Sequence, residues 1–355
     1  MNAPDGQQET EVKTDPPRTA QPWVPTLEEV AALAGVSSST ASRVINGSPR
    51  VTEQTIARVN AAIAKVGYVP NRAARNLASR RTQTVAMMIP ERTAEFFADP
   101  YFAEVIQGAA MYASSTEYSL TLLIESEKDP EKTHQFLRRG NVDGALILSH
   151  HSGSSSYREL ARTLPVVFGV RPPGEMADEI HIVDVDNHAA AVLGTQHLVD
   201  LGRTRIATIT GPLDTFAGRE RRRGWSETLV AAGLEPAGSE EGDYTPAGGA
   251  AAARRLIAAD APFDAIFIAS AQMAYGAMPV LKESGLEVPT DVAVATMDNN
   301  VFSTGTTPQL TTVDLHTAAK GAAMMATVVR LIKGEHIGIQ TLVPMELVER
   351  ESTAG

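Results

Sequence analysis

Between Ser38 and Asn46 the segment SSTASRVIN places Ser38, Ser39, Ser42, Arg43 and Asn46 on one side of a helix, away from Ala41, Val44 and Ile45. Hydroxyls, an amide and a guanidinium are the groups that reach base edges in a major groove, and arginine can grip guanine with two hydrogen bonds. The elements that must hold them are legible on either side. Thr26 can cap a preceding helix with Glu29 in a capping box, and Leu27, Val30, Ala31 and Ala34 give that helix one apolar stripe. Gly35 supplies the left-handed residue that ends it, and Ser37 starts the next helix two residues on. So tight a connection fits a helix-turn-helix. After Gly47-Ser48-Pro49, Thr52 can cap a third helix with Ile56, Val59, Ile63 and Val66 on one face before Gly67.

Charge is segregated along the chain. From Trp23 to Arg81 eight basic residues stand against Glu28, Glu29 and Glu53, a balance of +5, whereas the 355-residue chain carries −11. Everything after Arg81 sums to −14, and residues 1–22, rich in Gln, Thr, Pro and acidic groups, read as a disordered tail. A small basic head on an acidic body offers one face to phosphates and keeps the rest off nucleic acid.

Beyond Thr82 short apolar runs alternate with helical stretches. Thr84–Ile89, Leu120–Ile124, Gly144–Leu148 and Val166–Gly169 read as buried parallel strands. Ile206–Thr210, Ala265–Ala269 and Val292–Thr296 begin a second set, and Ala318–Ile332 reads as a long helix before a strand at Gln340–Leu347. Two such α/β lobes enclose a cleft, and ligands gather there at the carboxyl ends of the strands. Arg221 follows the Ile206–Thr210 strand and Asp298 follows Val292–Thr296, so both fall at such ends.

TLEEVAALAGVSSSTASRVINGSPRVT followed by GYVPNRAARNLASRRT resembles the headpiece and hinge of the LacI/GalR family of bacterial transcription regulators. The resemblance implies a DNA interface of Thr26, Ser37, Ser38, Ser39, Ser42, Arg43, Asn46, Arg50 and Tyr68. It extends this through a hinge helix with Asn71, Arg72, Ala74 and Arg75, where Leu77 stands at the family's minor-groove wedge. The passages HLVDLGRTRIATITGP, RERRRGW, LKESGLEVPTDVAV and TPQLTTVDL resemble the family's effector domain, itself similar to periplasmic sugar-binding proteins.

That likeness implies an all-α helix-turn-helix head and an α/β two-lobed body whose lobes exchange strands at three crossovers. The expected division is a tail (1–22), headpiece (23–69), hinge helix (70–81), one lobe (82–184 and 315–343) and another (185–314 and 344–355). It also implies an effector site with Arg221, four residues before Trp225, and Asp298, with Ser270 and Arg171 nearby. A guanidinium suits a polyol. Two departures change the pocket: Ser270-Ala271 stands where Asn-Asp is common, and Val170 where an Asp commonly precedes an arginine. With those carboxylates gone the pocket is expected to be less polar or anion-tolerant; Arg171, Arg219, Arg221, Arg222 and Arg223 add a cationic excess there if several face inward, whereas Arg222 and Arg223 read rather as a solvated helix face. No heptad pattern follows Val348, so a homodimer is the expectation.

The function expected is an effector-responsive regulator, a repressor of a carbohydrate catabolic operon that binds a palindromic double-stranded operator. The alternative keeps the DNA binding but places it under a phosphorylated or nitrogenous ligand, a co-repressor or a protein partner. His150-His151 lacks companions at metal-ligand spacing and reads as a strand-end loop, and Asp184-Val-Asp186-Asn187 reads as a βα turn with an N-cap. No phosphate loop, nucleophile elbow or metalloprotease helix is present, so neither catalysis, metal nor cofactor is expected. The absence of cysteine, of a signal segment and of a membrane-length apolar run points to the cytoplasm.

Overall fold

The structure is a computed structural model that describes residues 25–45, 47–69, 81–89, 97–124, 130–148, 156–171, 180–259 and 261–354. The chain divides into two compact units, residues 1–80 and 81–355. In the first, α1 (Leu27–Ala34), α2 (Ser38–Ile45) and α3 (Glu53–Val66) form a three-helix head. Thr26 and Glu29 form the capping box of α1, and Gly35 closes it at φ 65°. Val30, Ala31, Ala34, Ala41, Val59 and Ala62 make the core, with Leu27, Val36, Val44, Ile63, Val66 and Tyr68 packed against it. Ile45 and Ile56, expected on the inner faces, are only half-buried and stay outside this cluster.

The second unit holds two six-stranded sheets. The first contains β1 (Thr84–Ile89), β2 (Ser119–Ile124), β3 (Gly144–Ile147), β4 (Val166–Phe168), β5 (His181–Val185) and β11 (Gln340–Val343), in the order β11-β5-β4-β3-β1-β2, all parallel. The second contains β6 (Ile206–Thr210), β7 (Ser239–Glu241), β8 (Ala265–Ile268), β9 (Ala293–Met297), β10 (Thr311–Asp314) and β12 (Glu346–Val348), ordered β12-β10-β9-β8-β6-β7, with only β12 antiparallel to its neighbour. Covered on both faces, strands such as TVAMMI and AIFI are apolar throughout.

The helices follow their strands. α4 (Pro100–Ser114), α5 (Pro130–Arg138) and α6 (Ser156–Thr163) belong with the first sheet. α7 (Asn187–Asp200), α8 (Phe216–Ala231), α9 (Pro246–Ala258), α10 (Ala271–Glu283) and the short α11 (Val301–Thr304) belong with the second. α12 (Thr317–Ile332) returns to pack on α4. Gly108 and Gly321 permit that crossing: a Cβ on Gly108 would lie 1.8 Å from the Ala318 carbonyl oxygen, and one on Gly321 2.0 Å from that of Val105. The chain thus leaves the first sheet after Val185, returns at Thr317 and leaves again past Val343. The single strand expected over Gln340–Leu347 is two, β11 and β12, because Pro344 lacks the amide that would continue the ladder.

Candidate functional site

In the head, Ser38, Ser39, Arg43 and Arg50 are exposed and Ser42 is half-buried. Ser37 Oγ accepts the Thr40 amide at 3.2 Å, which caps α2, and lies 2.9 Å from Ser39 Oγ. Thr26 is engaged in its capping box, with Thr26 N–H donating to Glu29 Oε2 at 2.8 Å. Tyr68 is half-buried against the core. Asn46, Asn71, Arg72, Ala74, Arg75 and Leu77 lie outside the described residues, as do the expected hinge helix up to Arg80, the expected tail and His150-His151.

In the body a cavity of about 590 Å³ opens at the carboxyl ends of both sheets, where Leu148, Asp184, Pro212, Ser270, Asp298 and Leu315 end their strands. Arg221, Ser270 and Asp298 all line it. Gly218, Gly224, Trp225, Thr228 and Leu229 are the buried positions of α8, and Arg221 falls one turn before Trp225. Its Nε donates to Asn187 Oδ1 at 2.9 Å and its Nη1 to the Ala269 carbonyl at 2.6 Å, while its guanidinium sits 5.8 Å over the Tyr244 ring. Arg221 is therefore a strut as well as a wall, with Nη2 left without a hydrogen bond among the described residues. Asp298 stands at φ 75°, a conformation short polar side chains tolerate. Burial raises its carboxyl pKa, opposed by the Arg221 charge and the Ala271 amide. Ser270 caps α10 by accepting the Met273 amide.

Arg171 is not among the lining residues. It reaches across from the end of β4 to lie 5.8 Å over the Phe216 ring and donates to Gln340 Oε1 at 3.5 Å. The cationic excess expected around it is not formed. Arg219 donates to the carbonyls of Leu213 and Asp214, Arg223 pairs with Glu220, and Arg222 is exposed. Helical phase turns only Arg221 of the RERRR run inward.

The opposite wall holds Lys320 and Tyr101, which local pattern did not single out, beside Asp184, which it read as part of a βα turn. Lys320 donates to Asp184 Oδ1 at 2.7 Å and to the Tyr101 hydroxyl at 3.0 Å, with Lys320 4% and Asp184 5% exposed. Asp184 raises the Lys320 pKa against the pull of burial, and burial raises that of Tyr101. Asp186, as expected, caps α7 by accepting the Ala189 amide at 2.9 Å. Gln272, 6% exposed, also lines the cavity. Beside the site, burial and then Asp298 push the Glu104 carboxyl up to about 7, while the Thr317 hydroxyl holds it down.

A small head presenting serines and arginine, together with a two-sheet body that holds a cleft at its strand ends, defines a class: a ligand-responsive DNA-binding regulator. Residues 26–71 match the profile of the lacI family of bacterial regulatory proteins, and residues 195–353 that of the periplasmic binding protein-like domain. The HTH-type transcriptional regulator CelR of Thermobifida fusca is 40% identical over 92% of this chain and 98% of its own. The solved CelR–cellobiose complex superposes with a TM-score of 0.73 at 38% identity, covering 92% of this chain and 99% of that one. The lac repressor dimer bound to operator and the anti-inducer ONPF gives 0.83 at 26% identity, covering 94% and 100%. The chain belongs to the lacI family of bacterial regulatory proteins.

Proposed function

We propose that this protein is a homodimeric repressor of a carbohydrate operon, acting in the cytoplasm without enzymatic activity, and released from a palindromic operator when a sugar enters the cleft. The observation that carries the reading is the cleft itself: Arg221, Ser270 and Asp298 converge at strand ends in a body similar to the CelR–cellobiose complex. Arg43 and Ser39 read base edges, with Ser38 and Ser42 on the same groove-facing side, Arg50 holds a phosphate, and Thr26, Ser37 and Tyr68 fix the helices and flank the groove. The similarity to the operator-bound lac repressor dimer supports two heads on two half-sites. Asn71, Arg72, Ala74, Arg75 and Leu77, which lie between head and body in the sequence, couple body to operator.

The lobes of the reading are 82–184 with 315–343 and 185–314 with 344–355. At the entrance to the first, Asp143 accepts the Thr82 and Gln83 amides at 2.7 and 2.8 Å, a rigid anchor for movement relayed to the hinge. The experiment is selection of DNA from a random pool by the full chain. A palindrome enriched without sugar and lost with cellobiose or another neutral sugar supports the reading. Failure to enrich any sequence overturns it.

A further inference from the structure

We infer that the body holds a second binding site, for a divalent transition-metal ion of the zinc class, formed by Asp314, His316 and Glu346. None of the three lines the cleft, although Leu315 and Thr317 beside them do. Each brings one ligand atom to a cluster in which all lie within 4.8 Å of one another. His316 Nδ1 stands 3.4 Å from Asp314 Oδ1, and its Nε2 stands 4.0 Å from Glu346 Oε1. Only one of the two ring nitrogens can meet an ion. Around a tetrahedral zinc ion with bonds of about 2.0–2.2 Å, ligand atoms stand roughly 3.3–3.6 Å apart, so the cluster has to close by at most about 1.5 Å. The exposed Glu346 side chain can supply that movement.

Charge points the same way, independently of the ligand spacing. Asp314 ends β10 and Glu346 opens β12, and the two stand directly opposite each other in the antiparallel ladder. Like charges so placed repel. Among the described residues neither carboxylate forms an ion pair with a lysine or an arginine, and only the His316 ring faces both. The N-terminus of α12 contributes roughly half a positive charge, against two full negative ones. A divalent cation between the strands turns their repulsion into attraction.

The surroundings also hold the ligands as a metal site needs. Asp314 Oδ1 accepts the His316 backbone amide at 2.8 Å and its Oδ2 accepts from Asn299 Nδ2 at 2.9 Å, which leaves a lone pair on each oxygen. Arg350 donates in turn to Asn299 Oδ1, the kind of outer contact that orients a ligating carboxylate. His316 directly precedes α12, yet its ring makes no capping hydrogen bond, so a nitrogen remains for the ion. One imidazole nitrogen with two carboxylate oxygens suits zinc and its late first-row neighbours, with water completing the shell. Calcium and magnesium favour shells of oxygen alone.

The test uses the full chain, stripped with chelator and without sugar or operator, and the chlorides of zinc, manganese and calcium, each alone. Titration calorimetry is expected to show zinc bound, manganese bound more weakly and calcium not at all. Other histidines can take up zinc of their own, so the decisive reading is a difference. His316→Gln and Glu346→Gln are each expected to weaken one zinc equivalent per chain at least about tenfold. Glu346→Gln is further expected to leave the metal-free melting temperature unchanged or raised, since one of two facing carboxylates is removed. The thermal gain that zinc gives the parent should shrink in the same variant. Zinc bound with equal affinity and stoichiometry by the parent and both variants overturns the site, because the metal then sits elsewhere. A parent that takes up no zinc, with His316 carrying only a proton between its carboxylates, overturns it as well, as does calcium bound as tightly as zinc.

Discussion

Replacing Lys320 by methionine isolates the buried charge pair of the cleft wall. The ammonium lies 2.7 Å from Asp184 Oδ1, and both residues are about nineteen-twentieths buried. At an effective dielectric constant of ~20 the attraction at that distance is about 6 kcal/mol, but most of it offsets the cost of taking both charges out of water. Removing one partner leaves Asp184 buried and unpaired, at a cost of about 3–5 kcal/mol. Replacing both, as Lys320→Met with Asp184→Leu, exchanges the pair for apolar side chains and is expected to fall within about 1 kcal/mol of the parent or above it. The coupling between the sites is therefore at least about 2–3 kcal/mol. In a Trp23→Phe background the fluorescence of Trp225, buried at 3% exposure, follows unfolding of the body in urea. On heating, the single variant is expected to lose roughly 6–20 °C. A single variant within 1 kcal/mol of the parent, or costs that simply add in the double variant, would refute the reasoning.

Glu104, raised to about 7 from an ordinary 4.5, holds a proton in the folded state that the unfolded chain has released. Stability is thus expected to fall as pH rises between about 4.5 and 7, and Glu104→Gln should flatten urea midpoints across that window. Gly108→Ala drives a Cβ against the Ala318 carbonyl and is expected to cost about 1–3 kcal/mol in the same assay; a neutral result would mean that α4 and α12 can part. Arg43→Ala should relax preference at one base pair per half-site, costing roughly 1–3 kcal/mol on the selected operator and little on other DNA. Arg50→Ala, measured by anisotropy against salt, should lower the salt slope by about one and leave sequence preference in place.

Much of the body was legible because parallel strands covered on both faces are apolar throughout: TVAMMI, GALI and AIFI need no context. β7, with the sequence SEE on an exposed edge, and β10, whose buried Thr311 and Thr312 mask its character, carry no such local signal. β5 hides for the same reason. Its Asp184 is stabilised by Lys320, 136 residues away, and no window of sequence holds both. The site divided likewise. Arg221, Ser270 and Asp298 stand at strand ends that could be counted along the chain, so they converge as their spacing required. Arg171 does not line the cavity, and the cluster of arginines around Arg221 failed because proximity in sequence is not proximity to a cleft. Arg222 and Arg223 are exposed, as the reading of a solvated helix face expected of them. Gln272 gave no signal, since a glutamine in an apolar helix differs from a surface glutamine only by where the helix starts.

The claim that cleft and operator are energetically linked is tested most directly by reciprocity in a single binding cycle. Anisotropy gives the operator affinity of the full chain with and without saturating sugar, and calorimetry gives the sugar affinity with and without operator. If the sugar weakens operator binding by some factor, bound operator must weaken sugar binding by that same factor, expected between about 5- and 150-fold. Sugar binding in the cleft that leaves operator affinity unchanged would contradict the account.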